Sequence, residues 1–215
     1  MSDKQGSFLR TSIGLISLFI ALVVGMFWFA QGPKALPLEK LAGQGVVLLP
    51  TVRPIDDFSL VGPKGSAFTR ENLLGQWSFV FFGYTSCPDI CPITMGMLSR
   101  IEKELGLVAE EKIKVFLVSV DPDRDTPEQL KIYLENFNDK FVGLTGGIDQ
   151  IYNFATRVNA PFSPVINSED PNYTVDHYGS IVVINPEGKY AGFFRTPHEQ
   201  EKVKLGLLEL INKQL

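Results

Sequence analysis

The two cysteines of this 215-residue chain, Cys87 and Cys91, are separated by three residues. Residues four apart on a helix share one face, with Cβ atoms about 5–6 Å apart. Both sulfurs can therefore face one ligand, or bond to each other with modest adjustment. A helix N-terminus also favours the thiolate, the form that binds metals and attacks disulfides. Because a structural disulfide over so short a loop would stabilise little, the spacing indicates a redox pair or a soft-metal site.

A histidine far along the chain is a candidate third member of this site. His177 precedes a predicted strand, at the place where thioredoxin-type dithiol proteins have a proline facing their cysteines, and residues 173–179 contain no proline. Two thiolates and one imidazole suit Cu(I), and the same set with water can hold Cu(II). A closed zinc site prefers four protein ligands and would have to recruit a carboxylate. We predict Cys87, Cys91 and His177 as metal ligands, and His198 as an exposed helix residue.

An acidic segment, DPDRDTP over residues 121–127, follows the second predicted strand. Sites in α/β proteins gather at the C-terminal edge of the sheet, so Asp121 is a candidate for supporting the site or docking a partner. Turn and capping chemistry are the alternative explanation of this segment.

Residues 160–176 are polar and Pro-rich, and loops longer than ~12–15 residues are usually functional or disordered.

The elements around these residues alternate between strand and helix. Continuous apolar runs predict buried strands, and two capping boxes predict helix starts near residues 126–129 and 196–199. The predicted strands are 78–84, 114–120, 180–184 and 189–195, and the predicted helices are 92–105, 127–137, 148–158 and 197–212. This order predicts an α/β, thioredoxin-like fold with a central mixed sheet flanked by helices.

The N-terminal part contains an apolar segment with no charged residue between Arg10 and Lys34. At ~1.5 Å per residue this segment can span a hydrocarbon core of ~30 Å. It exceeds the ~7–15 apolar residues of a cleaved signal peptide, which is the alternative. We predict a cytoplasmic tail (1–10), one transmembrane helix as anchor (11–33), a linker (34–54) with a short strand at 46–49, and a thioredoxin-like domain (55–215). The basic N-terminal side favours a single-pass protein of the bacterial inner membrane, with the domain in the periplasm.

The overall composition excludes several classes of protein. Hydrophobic residues make up 45% of the chain, far too many for an intrinsically disordered protein. Two cysteines cannot provide the disulfide framework of a mini-protein. The net charge of −4 gives no basic surface of the kind that nucleic-acid binding requires.

Three segments together resemble the Sco/SenC family of membrane-anchored, thioredoxin-like copper proteins. They read GYTSCPDICP at residues 83–92, VSVDPDRDTP at 118–127 and VDH at 175–177. The resemblance covers about residue 55 to the C-terminus. It implies that Cys87, Cys91 and His177 bind one copper ion per chain, as Cu(I), Cu(II) or both. One departure is Ser86, where many members have a histidine; this removes a nearby imidazole but no expected ligand.

The resemblance also implies a metallochaperone for the copper A centre of cytochrome c oxidase, with oxidase subunit II as partner. A periplasmic copper donor or thiol reductant is a further expected partner. Some family members act mainly as thiol-disulfide reductants of subunit II or as redox sensors. A thiol-disulfide oxidoreductase, in which Cys87 attacks and Cys91 resolves the mixed disulfide, is therefore the alternative. A peroxidase is disfavoured because Pro-x3-Thr-x2-Cys is absent before Cys87.

Overall fold

The computed structural model describes residues 3–30, 38–165, 169–170 and 172–212. One compact unit is the N-terminal helix α1 (Asp3–Ala30), and a second contains the described residues from Leu38 onward. Within these ranges, no helix combines the length and apolar character that a membrane crossing needs. Residues 31–33 of the predicted anchor and 34–37 of the predicted linker lie outside the described residues. The anchor therefore stays a prediction.

Short strands and helices alternate through the second unit. The strands are β1 (Val46–Pro54), β2 (Leu60–Val61), β3 (Ala67–Phe68), β4 (Trp77–Gly83), β5 (Ile113–Ser119), β6 (Val142–Leu144), β7 (Ile181–Ile184) and β8 (Lys189–Phe194). The helices are α2 (Leu38–Gly43), α3 (Ile90–Leu105), α4 (Leu107–Lys112), α5 (Pro127–Glu135), α6 (Ile148–Arg157) and α7 (Gln200–Asn212). The predicted strands correspond to β4, β5, β7 and β8, and the predicted helices to α3, α5, α6 and α7.

Six of these strands form one mixed sheet in the order β1-β8-β7-β4-β5-β6. Strands β4, β5 and β6 are parallel, whereas β7, β8 and β1 continue the sheet by antiparallel pairing. All seven residues of β4 are buried, as expected for a central strand with both faces covered. The prediction of a thioredoxin-like α/β fold with a central mixed sheet flanked by helices is confirmed.

The two predicted capping boxes have different outcomes. At the start of α5, the Thr126 hydroxyl accepts from the Gln129 amide, and the Gln129 side chain accepts from the Thr126 amide. The second box is wrong because α7 begins only at Gln200. His198 is half-buried rather than exposed, because its Nε2 donates to the Gly179 carbonyl at 2.8 Å. This imidazole belongs to the packing of the domain.

In the predicted linker at 34–54, the residues from Leu38 onward have more regular structure than the short strand expected at 46–49. They form α2 and β1, and β1 pairs with β8 with Val46 opposite Phe194. β1 is longer than the strand expected at 46–49, and its register with β8 shifts between Leu48 and Arg53. The sequence pattern also did not predict β6, which has only three residues. There a Cβ on Gly143 would lie 2.6 Å from Leu130 Cβ of α5, so α5 packs closely against the strand.

Candidate metal centre

The antiparallel pairing of β4 with β7 brings the predicted ligands together from distant parts of the chain. Phe81 near the end of β4 is opposite Ile181, the first residue of β7. Cys87 follows the end of β4 at Gly83 by four residues, and His177 precedes Ile181 by four. The segment after one strand therefore meets the segment before the other. This is why ligands separated by almost ninety residues share one site.

Each cysteine occupies a different local structure. Asp89 is the N-cap of α3, so Cys91 lies in the first helical turn while Cys87 lies in the preceding loop. The two cysteines therefore do not share one helical face. A Cβ on Gly83 would lie 2.6 Å from Cys91 Sγ, so the glycine leaves the space that this sulfur occupies. Both thiols are free; Cys91 is 0% exposed and Cys87 is 9% exposed.

His177 completes the cluster that the sequence predicts. Its Nε2 lies 3.6 Å from Cys91 Sγ, and the ligand atoms of Cys87, Cys91 and His177 all lie within 4.8 Å of one another. The imidazole meets the rings of Phe81 and Tyr84 edge-on, with centroids 5.9 and 5.7 Å away. Its Nδ1 is buried and has no hydrogen-bond partner among the described residues.

The electrostatics of the cysteine pair favour one thiolate. The hydrogen bond from Cys91 holds the pKa of Cys87 well below its ordinary range. The same bond, together with burial, raises the pKa of Cys91. These opposite shifts favour a thiolate at the more exposed Cys87 and a protonated thiol at Cys91. Binding of one ion by both sulfurs therefore requires Cys91 to lose its proton.

Asp121 lies beside this cluster but is not one of its members. Its buried carboxylate accepts from Arg124 Nε and from the Tyr173 hydroxyl, and its backbone amide donates to Ser119 Oγ at 3.0 Å. The side chain of Asp121 is only 2% exposed, and its carbonyl accepts turn hydrogen bonds from the amides of Arg124 and Asp125, so a role in the site stays a prediction.

A second buried carboxylate, which the sequence analysis did not single out, braces the cysteine loop. Asp125 is 0% exposed and accepts from the amide and hydroxyl of Thr85 and from the hydroxyl of Ser119. Burial raises the pKa of Asp125, and these hydrogen bonds oppose the increase. The first and last residues of the DPDRD segment, Asp121 and Asp125, therefore both have buried carboxylates. Asp121 contacts the histidine segment and Asp125 contacts the cysteine loop.

Arg124, Tyr173 and Tyr84 were also missed by sequence reasoning. Arg124 and Tyr84 lie within the quoted motifs, so the signal for them was present, but Tyr173 carries no signal of its own. Part of the predicted functional loop at 160–176 (residues 166–168 and 171) lies outside the described residues. Where the loop is described, Ser163 donates to Asp176 O at 2.8 Å and Phe162 forms an isolated bridge with His177.

Several known proteins are similar to this chain in sequence and architecture. Residues 50–212 match the family described as SCO1/SenC. A SCO2-like protein of Rickettsia conorii is 37% identical over 181 residues, 84% of this chain and 86% of that protein. The crystal structure of yeast Sco1 with copper bound is 29% identical, with a TM-score of 0.70, over 76% of this chain and 91% of that one. Copper-bound ScoI of Bradyrhizobium japonicum is 30% identical, with a TM-score of 0.63, over 72% of this chain and 98% of that one.

Proposed function

Because the chain belongs to the SCO1/SenC family, we propose that it binds one copper ion and delivers it during assembly of cytochrome c oxidase. The observation that carries this proposal is the convergence of Cys87, Cys91 and His177, whose ligand atoms lie within 4.8 Å of one another. Copper is here the cargo, held between two sulfurs and one imidazole nitrogen.

The donor set and its spacing fit such an ion. In tetrahedral zinc sites, bonds of about 2.3 Å to sulfur and 2.0 Å to nitrogen place two ligand atoms of one ion about 3.5–3.8 Å apart, which gives a scale for comparison. Cys91 Sγ and His177 Nε2 are 3.6 Å apart. Thiolates select soft ions such as Cu(I), and imidazole suits copper in both oxidation states. A structural zinc ion would need a fourth protein ligand, and this cluster has three members among the described residues.

Exposure at the site is consistent with delivery rather than permanent storage. Cys91 is fully buried, Cys87 is nearly so, and His177 is partly exposed. Ligands of another protein can therefore approach the ion from one side and replace these ligands in turn. We propose that the acceptor is the copper A centre of oxidase subunit II, and that a periplasmic copper donor or thiol reductant prepares the site.

The same proposal places the domain in the bacterial periplasm and anchors the chain in the inner membrane through residues 11–33. Its support is the absence of charge between Arg10 and Lys34, the helical conformation of α1, and exposed apolar side chains such as Leu15, Phe19 and Phe27. Extraction of cell membranes with alkaline carbonate tests it. Retention of the chain in the membrane fraction is expected, and release into the supernatant would argue against the anchor.

Thiol-disulfide exchange is the second candidate function. Two free cysteines lie next to each other, and the one in the loop before the helix is the more exposed. In such an exchange the Cys87 thiolate attacks one sulfur of a partner disulfide and releases the other as a thiolate. Cys91 then attacks Cys87 Sγ and releases the second partner sulfur, so the partner is reduced to a dithiol and Cys87 and Cys91 are oxidised to a disulfide. This function requires the sulfurs but not His177, which is what separates it from copper delivery.

Anaerobic reconstitution of the purified full-length chain with Cu(I) and with Cu(II) tests the copper assignment. We expect one copper per chain in the wild type, and the same in His198→Gln, which changes the other histidine. His177→Ala should bind copper much more weakly while its circular dichroism stays unchanged. A wild-type ratio near zero, with dithiol turnover that survives His177→Ala, would instead identify an oxidoreductase.

A further inference from the structure

The segment that carries His177 has little regular structure to fix it. Among the described residues 172–180 there is no helix or strand, and His177 contributes only an isolated bridge to Phe162. Its neighbours in that bridge, Pro161 and Ser163, are themselves loop residues. Backbone bonds from Ser163 N to Asp176 O and from Tyr178 N to Pro161 O fix the residues beside His177, and side-chain contacts of the residues before it add to them.

Arg124 provides several of these contacts. Its Nη2 donates to the Tyr173 carbonyl at 3.0 Å, and its guanidinium carbon lies 3.7 Å from the centre of the Tyr173 ring. Its Nε donates to one oxygen of Asp121, while the Tyr173 hydroxyl donates to the other. Asp121, Arg124 and Tyr173 thus each contact the other two, and we call these three residues the Arg124 clamp. Bonds between ionised partners are roughly twice as strong as neutral ones, and only a planar guanidinium can both donate and stack in this way.

Tyr84 connects the clamp to the imidazole itself. The Arg124 guanidinium lies 5.6 Å from the centre of the Tyr84 ring. The Tyr84 hydroxyl accepts from the Val175 amide at 3.3 Å, and the ring meets His177 edge-on. The histidine segment is therefore held at Tyr173 and at Val175, four and two residues before the ligand.

We propose that Arg124 is a positioning residue of the metal site, which holds the histidine segment so that the imidazole reaches Cys91. This inference rests on the proposed copper function, but Arg124 acts through His177 and does not contact the ion. Two thiolates satisfy Cu(I), whereas Cu(II) prefers additional nitrogen and oxygen ligands. Weakening the clamp therefore lowers affinity for Cu(II) more than affinity for Cu(I).

The test compares Arg124→Met and the milder Tyr173→Phe with the wild-type full-length chain, in competition titrations for each copper oxidation state. Residues that orient a metal ligand typically contribute 10–100-fold to affinity, so Arg124→Met should lower Cu(II) affinity by about that factor. Cu(I) affinity should change much less. Tyr173→Phe keeps the Arg124–Asp121 ion pair and should show a smaller loss in the same direction. Arg124→Met should cause no additional loss when His177→Ala is already present.

Arg53→Met is the matched control. Arg53 also stacks on a tyrosine, Tyr190, and donates to a backbone carbonyl, that of Arg157, but its partners lie outside the metal cluster. Its copper affinities should equal those of the wild type. Unchanged Cu(II) affinity in both clamp variants would overturn the positioning role. So would an additional loss in the His177→Ala background, because Arg124 would then act independently of the imidazole.

A metal-free measurement separates this inference from the copper assignment. Amide hydrogen exchange at Val175 reports whether the histidine segment is held, whatever the ion. We expect faster exchange at Val175 in Arg124→Met and wild-type exchange within β4. If the wild type bound no copper, the proposed function would fail, yet this readout would still decide the clamp. Unchanged Val175 exchange in Arg124→Met would overturn it.

Discussion

The cysteine half of the site (residues 83–91) and the histidine half (residues 172–179) are held in different ways. The cysteine half lies between the end of a fully buried central strand and the first turn of α3. The histidine half has no helix or strand and relies on the Arg124 clamp, Tyr84 and the bridge to Phe162. Segments with few core contacts open at lower free energy than the core does. Defects in the cysteine half should therefore lower global stability, and defects in the histidine half should cause local opening.

The largest effect is expected for Gly83→Ala in the cysteine half. The new Cβ would lie 2.6 Å from Cys91 Sγ and 3.0 Å from a ring carbon of Phe81. Overpacking of this kind costs about 1–3 kcal/mol, which a lower urea midpoint should reveal, and displacement of the sulfur should also impair copper binding. Gly43→Ala is the control, since a Cβ there meets nothing within 4 Å. Equal midpoints for the two variants would show that the cysteine half is not tightly packed.

Thr85→Val tests the brace of the cysteine loop. The substitution removes the hydroxyl that donates to Asp125, a carboxylate with 0% exposure. Leaving a buried acceptor short of a partner costs about 1–3 kcal/mol, and the whole domain should lose that stability in chemical denaturation. Ser66→Ala removes an exposed hydroxyl bonded to Pro63 O and should change stability by less than about 0.5 kcal/mol. A loss confined to local exchange near Thr85 would contradict the proposed difference between the halves.

Tyr84→Phe tests how the histidine half is held, because the Tyr84 hydroxyl bonds to Val175 in that half. It removes the acceptor of the buried Val175 amide, and leaving a buried donor without a partner costs about 1–3 kcal/mol locally. Hydrogen exchange at Val175 should accelerate, while the global free energy of unfolding falls less than in Thr85→Val. Tyr152→Phe, on an exposed ring, is the control. An equal global loss in Tyr84→Phe and Thr85→Val would mean that the two halves unfold as one unit.

The smallest effect concerns the pH dependence of stability through His198, which donates to Gly179 O in the histidine half. Burial lowers the pKa of His198 below its ordinary value of 6.5, and backbone hydrogen bonds with Gly179 and Arg195 oppose the decrease. The unfolded chain then binds a proton at His198 more readily, so stability falls as pH drops through 6.5 toward the lowered pKa. Urea titrations between pH 7.5 and pH 5 should show a smaller fall in His198→Gln. Parallel curves for the two proteins would contradict this prediction.

Much of the fold could be predicted because local and global signals agree where the strands are longest. The apolar residues of β4 and β5 and the capping box at Thr126 dictate their elements without help from distant residues. In contrast, β6 has three residues, and β1 contains prolines beside its register break. These strands form because β6 pairs with β5 and β1 pairs with β8. A single sequence does not show which distant segments will pair.

The candidate site shows the same division. Residue type and spacing identified Cys87, Cys91 and His177, since thiol and imidazole chemistry can be recognised without coordinates. The roles of Arg124 and Tyr173 depend on a contact between residues 49 positions apart, and neither type is unusual for a surface loop. His198 was misassigned for the same reason, because its hydrogen bond to Gly179 follows from packing.

The separation of the ligands along the chain gives copper a role as a cross-link. An ion held by both Cys91 and His177 joins residues 86 positions apart and encloses α3 through α6, whereas a Cys87–Cys91 disulfide encloses only one loop and the start of a helix. In the chain-entropy description, closing a loop of that length restricts the unfolded state by roughly 4–5 kcal/mol, against about 2 kcal/mol for the short loop. Copper binding should therefore raise the thermal unfolding temperature more than formation of the Cys87–Cys91 disulfide does. The copper cross-link restricts the conformations of a much longer segment of the chain.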